Sequence, residues 1–135
     1  MKTTATVFGI LAALCLAPLA TAGDAPSDVY AVYMTAQQAG DLDGMAACVI
    51  EAKAQELKAM PDSQKAQIAE LMKMGAPSEY TVVNEDIRGD KAILSLEGKG
   101  TDFSGNAVTM TGTATFARED GAWKLKRDSW KSSAQ

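Results

Sequence analysis

Residues 107–117 read AVTMTGTATFA, and this alternation constrains the fold more than any other stretch. Val108, Met110, Gly112, Ala114 and Phe116 fall on one side, and Thr109, Thr111, Thr113 and Thr115 on the other. A period of two belongs to a strand with one buried face and one wet face. The chain must therefore build a sheet that something covers on a single side. Strands are expected at Tyr80–Ile87, Lys91–Gly100, Ala107–Ala117 and Ala122–Trp130. The intervening loops are short and rich in Gly, Asn and Asp, which join antiparallel neighbours into a meander.

Opposed residues in an antiparallel pair share a face, so loop length predicts register. A two-residue loop at Gly89-Asp90 sets Ala92 opposite Ile87, Leu94 opposite Glu85 and Leu96 opposite Val83. A three-residue loop at Ser104-Gly105-Asn106 sets Leu94 opposite Phe116, Leu96 opposite Ala114 and Gly98 opposite Gly112. The last turn, Arg118 to Gly121, brings Trp123, Leu125 and Arg127 to the Phe116 face with either two or four residues. The inner face then collects Val83, Ile87, Leu94, Leu96, Val108, Met110, Phe116, Trp123 and Leu125. Paired glycines in mid-sheet mark a bend or a close approach, and here they predict a curl that opens a bowl. Glu85 and Arg127 reach the same face, where a buried charge needs a partner or a cavity.

Upstream of Pro77 the periodicity is helical. A first helix is expected from Ser27 to about Ala39, with Ser27 as cap and Gly40 as terminator. A second starts at Asp43, carries Met45, Val49 and Ile50 on its apolar face, and extends toward Met60 before Pro61. A third runs from Ser63 to about Met74. Three helices followed by four strands give an α+β fold, with the N-terminal helices packed on a curved four-stranded antiparallel meander.

The first 22 residues stand apart. Lys2 precedes an uncharged, mostly apolar run, Ala5 to Leu19, and Ala20-Thr21-Ala22 offers small residues for cleavage. This is a secretory signal pattern, too short and alanine-rich for a membrane span. The expected mature chain, residues 23–135, is a single periplasmic or secreted domain with helices within 27–74 and strands within 80–130. The full chain has a net charge of −4, and loss of Lys2 makes it one unit more acidic. An acidic chain without a basic tract offers nucleic acid little, because that affinity rests on neutralising phosphates. Cys48 is the one cysteine outside the leader, so no internal disulfide can form; it reads as a small buried helix residue. Histidine is absent, which removes histidine-dependent nucleophile systems and the usual zinc ligands. No metal site or cofactor is expected.

The helix start Gly40-Asp41-Leu42-Asp43-Gly44-Met45 and the terminal strand Gly121-Ala122-Trp123-Lys124-Leu125 resemble the nuclear transport factor 2 (NTF2)-like superfamily, in particular its small secreted bacterial members of unknown function. The similarity spans most of residues 27–130. It implies helices over a curled sheet, a cone-shaped pocket, and homodimerisation through the open sheet face. Its enzymes, such as steroid isomerases and SnoaL-like cyclases, work with polar pocket residues, often Asp, His and Tyr.

The candidate pocket residues are Tyr30, Tyr33 and Met34 on the first helix and Glu85, Met110, Phe116, Trp123 and Arg127 on the sheet. Arg127 would hold an anionic group, and Glu85 could act as a base. Each also has an ordinary reading, as core for the apolar residues and as solvated strand ends for the two charges. Arg88-Gly89-Asp90 spells an adhesion tripeptide but is ordinary hairpin chemistry. Asp41 to Gly44 lacks the spacing of a calcium loop. The favoured reading is a non-enzymatic pocket or interaction domain for a small organic or lipid-like ligand or a partner protein. The alternative is a small lyase or isomerase using Glu85, Arg127 and a tyrosine.

Overall fold

The computed structural model describes residues 24–133. The expected signal segment, with Cys15, lies outside the described residues. Helices α1 (Pro26–Ala39), α2 (Leu42–Cys48), α3 (Glu51–Ala59) and α4 (Asp62–Gly75) precede strands β1 (Glu79–Arg88), β2 (Lys91–Thr101), β3 (Ala107–Glu119) and β4 (Ala122–Ser133). The strands pair antiparallel in chain order, β1-β2-β3-β4. The fold is α+β, with the helices ahead of the sheet. Among the described residues no helix is long and apolar enough to cross a membrane.

The helix starts differ from expectation in instructive ways. Pro26, not Ser27, opens α1, where its missing N–H costs nothing. Asp28 accepts the Ala25 N–H at 3.1 Å. Asp41 rather than Asp43 caps α2, accepting the Gly44 N–H at 3.0 Å. The expected second helix is two helices. Val49 and Ile50 are extended between them (φ −99°, ψ 163° and φ −56°, ψ 150°). There Val49 forms a parallel bridge to Leu125, and the Ile50 N–H donates to the Leu125 carbonyl at 3.0 Å. Two β-branched residues suit an extended backbone, and the open edge of β4 offers an otherwise unpaired carbonyl.

Two bulges and one loop revise the register. In β1, Val82 opposes Leu96 and the irregularity falls at Val83, which is 52% exposed. Glu85 and Ile87 oppose Leu94 and Ala92 as expected, yet both are exposed on this edge strand. The β2–β3 loop runs over residues 102–106 because Asp102 organises it. The Asp102 carboxylate accepts the N–H groups of Ser104 (2.9 Å) and Asn106 (2.8 Å). The pairing therefore shifts by two residues: Gly98 opposes Met110, Leu96 opposes Gly112, and Ala92 opposes Phe116. An even shift leaves every side chain on its expected face but separates the two glycines. The β3–β4 turn has two residues, Asp120 and Gly121, both with positive φ (51° and 79°), the geometry that matches strand twist.

The second bulge has the larger consequence. Leu125 opposes Phe116 and Arg127 opposes Thr115, so Lys126 is the extra residue. Trp123 and Leu125 point inward as expected. Arg127 instead joins the outer, threonine-bearing face, and Asp128 and Trp130 oppose Ala114 and Gly112 on the inner one.

The core lies between α1, α2 and the inner face of β2–β4. Tyr30, Met34, Met45, Leu94, Leu96, Phe116 and Leu125 are fully buried. The Tyr30 ring meets Phe116 and Tyr80 edge-on, with centroids 6.2 and 5.6 Å away. No bowl opens above the glycines. The Trp130 indole lies there, so that a Cβ on Gly112 would stand 2.8 Å from its Cδ2 and Cε3, and one on Gly98 3.2 Å from its Cζ3.

Candidate functional site

The polar centre of the interior is a chain of three side chains. Trp130 Nε1 donates to the Tyr30 hydroxyl at 3.2 Å, and that hydroxyl donates to Asp128 Oδ2 at 3.1 Å. The direction is fixed by chemistry. An indole N–H can only donate, so the Tyr30 oxygen accepts it and the Tyr30 proton goes to the carboxylate. The β4 bulge sets Asp128 and Trp130 on one face, and α1 lays Tyr30 across them.

Burial raises the Asp128 pKa above its ordinary value, while the Tyr30 hydrogen bond, the positive charge of Lys53 and a hydrogen bond from its own backbone N–H pull it back down. Burial, and then the charge of Asp128, push the hydroxyls of Tyr30 and Tyr33 well above the usual phenol range. Both tyrosines therefore stay protonated at neutral pH.

Asp128 forms part of the wall of a cavity of about 190 Å³ between the helices and β4. Tyr33 of α1, Met45 of α2, Leu57 of α3, Met72 of α4 and Leu125 of β4 supply most of the apolar lining, with Val49 and Met60 from the connections. Lys53 and Glu56, exposed on α3, are its other charged residues. An apolar cavity of roughly 150 Å³ is enough to hold benzene, so the volume suits a ligand of about one ring. A wider groove of about 590 Å³ lies between α2–α3 and the β3–β4 turn. Two of its polar groups are already engaged: Glu119 accepts the Glu51 N–H at 2.8 Å, and Lys124 donates to the Ala47 carbonyl at 2.8 Å. Among the described residues no group of three or more Cys, Asp or Glu side chains is placed to hold a metal.

The sequence-predicted residues separate into several places. Tyr33 lines the cavity, and Tyr30 sits behind it as the donor to Asp128. Met34 and Phe116 are buried core. Trp123 is buried with the Arg118 guanidinium 4.5 Å from its ring centroid. Met110 lines a different groove, with Met74 and Phe103. Glu85 is exposed and accepts the Ser27 N–H at 3.1 Å, a favourable place for a carboxylate at a helix N-terminus. Arg127 is exposed on the outer face. Asp128, Trp130, Lys53 and Glu56 escaped the sequence reading. Asp128 and Trp130 share a face by their spacing of two, but simple alternation from Leu125 assigns them to the wrong one.

Helices ahead of a four-stranded antiparallel meander recur in solved structures. A protein of unknown function from Silicibacter pomeroyi DSS-3, described as NTF2-like, superposes with a TM-score of 0.52 at 13% identity, covering 79% of this chain and 92% of that one. An NTF2-like protein of unknown function from Shewanella baltica OS155 gives 0.53 at 13% identity, covering 82% and 92%. The fold is NTF2-like. A candidate dehydratase of the NTF2-like family from Streptomyces avermitilis has the same fold, with a TM-score of 0.52 at 15% identity and coverage of 81% and 94%. No family profile matches the sequence, and no curated protein matches it. At such identities the likeness extends to the NTF2-like fold and no further.

Proposed function

We propose that this protein is a non-enzymatic binding domain that holds a small organic ligand in the cavity between its helices and β4, anchored by Asp128. The observation that carries this reading is a half-buried carboxylate, held by the Tyr30 hydroxyl that Trp130 in turn braces, on the wall of a mostly apolar space of about 190 Å³. A few convergent polar groups in an otherwise apolar cavity are the usual make-up of a ligand site. The lyase or isomerase alternative, framed around Glu85 and Arg127, draws no support, because both side chains are exposed and outside the cavity. Docking of a partner on the outer sheet face, or homodimerisation there, is the other version of a non-enzymatic role.

The test is ligand-observed NMR with a mixture of single-ring organic compounds. The wild-type protein should give saturation-transfer signals, and Leu57→Trp, which fills the cavity from its half-exposed rim, should abolish them while circular dichroism stays unchanged. No signal from the wild type, or an undiminished one from the variant, would count against the cavity. We further propose export to the periplasm or medium through cleavage after Ala22. N-terminal sequencing of protein from its native host should then begin at Gly23.

A further inference from the structure

Resting on that reading, we infer that the cavity selects a ligand of about single-ring size bearing a protonated amine, with the ammonium group paired to the carboxylate of Asp128. Three observations converge on this chemistry. First, the carboxylate is only partly satisfied. Oδ2 accepts the Tyr30 hydroxyl and the carboxylate also takes a hydrogen bond from its own backbone N–H, but no other side chain donates to Asp128 among the described residues. Neither ion pair within 4 Å among those residues includes Asp128, so Lys53 is near enough to be felt but not to bond.

Second, the charged residues of the lining are two carboxylates, Asp128 and Glu56, against one ammonium, Lys53. The imbalance favours a cation and opposes an anion. Third, the rest of the wall is apolar, with the Tyr33 ring and the methionines Met45, Met60 and Met72. Such a wall suits an aromatic or aliphatic body and adapts to its shape.

The site also distinguishes an amine from a neutral alcohol. Either could donate a hydrogen bond to Asp128. Only the cation neutralises a charge already partly removed from water, and a desolvated charge left unpaired is costly. Burial lifts the proton affinity of Asp128, and an ammonium partner would oppose that lift.

Isothermal titration calorimetry with a matched series provides the test: benzylamine, benzyl alcohol, toluene and benzoate, each against the wild type, Asp128→Asn and Lys53→Met. Benzylamine should bind about tenfold or more tighter than benzyl alcohol, and benzoate should not bind. Asp128→Asn should erase the advantage of the amine over the alcohol. Lys53→Met, a change at an exposed residue, should increase it and serves if Asp128→Asn fails to fold. Equal affinity for amine, alcohol and toluene overturns the inference and leaves the cavity reading intact, as does a preference for benzoate. Binding by none of the four overturns both.

Discussion

Gly112 and Trp130 show how a residue with no side chain is required by one with the largest. The backbone of Gly112 approaches the indole so closely that a Cβ would meet Trp130 Cδ2 and Cε3, and also the Ser129 carbonyl, at 2.8 Å. Gly112→Ala should therefore destabilise the fold by about 1–3 kcal/mol, the usual cost of overpacking. Gly75 is the control: nothing lies within 4 Å of its Cβ position, and it ends a helix. Gly75→Ala should be neutral or stabilising by up to about 1 kcal/mol. Urea unfolding of both variants measures the difference, and equal midpoints would contradict the packing of Trp130. The same neighbourhood gives a pH dependence. Burial raises the Asp128 pKa in the folded state above its ordinary 3.8, so the native protein holds this proton more tightly than the unfolded chain. This contribution to stability is fully present below 3.8 and is lost as pH rises through the native value. Asp128→Asn keeps an acceptor for Tyr30 and has no charge to bury. Its melting temperature should exceed that of the wild type at neutral pH, and the gap should close as pH falls toward 3.8. A gap that widened on acidification would reverse the assignment.

Elements form where local pattern and tertiary demand agree, and they shift where the two conflict. The four strands are close to those expected because alternation reports burial directly. The expected second helix breaks at Val49-Ile50 because the edge of β4 offers a hydrogen bond that continued helix could not use. Helix α4 is the least committed element. None of its residues is fully buried, Leu71 and Met74 are 67% and 68% exposed, and Ile68, Ala69 and Met72 make its half-buried contacts with the core. Amides in α4 should therefore exchange with solvent at least about tenfold faster than those at the centre of β2 and β3, where inner-face residues are buried on a fully paired ladder. Hydrogen-exchange mass spectrometry reads this directly. Uniform protection across α4 and the sheet would show that the helix is held more firmly than its contacts imply.

For the whole molecule, Cys48 is a probe of cooperative opening. It is 2% exposed at the end of α2, and burial raises its thiol pKa, with Lys124 opposing the shift. The thiolate is the reactive form, so a thiol reagent should label Cys48 only as fast as the domain opens. Labelling should be slow in native buffer and quick above the urea midpoint. Rapid labelling under native conditions would mean that α2 detaches without global unfolding.

Alternation, turn residues and helix terminators, all local properties, were enough for the α+β class, the antiparallel meander and most of the inner face. The side to which Tyr30, Leu94, Phe116 and Trp123 point follows from spacing alone. The candidate site was less accessible, because it hangs on a single extra residue. One bulge at Lys126 turns Arg127 outward and sets Asp128 and Trp130 beneath Tyr30. The filling of the space above Gly98 and Gly112 was equally hidden, since it depends on a residue brought in from another strand. Short-range pattern records which faces are dry. Where a ladder slips by one, and which polar group it then delivers to the interior, is decided by the packing of distant segments against each other.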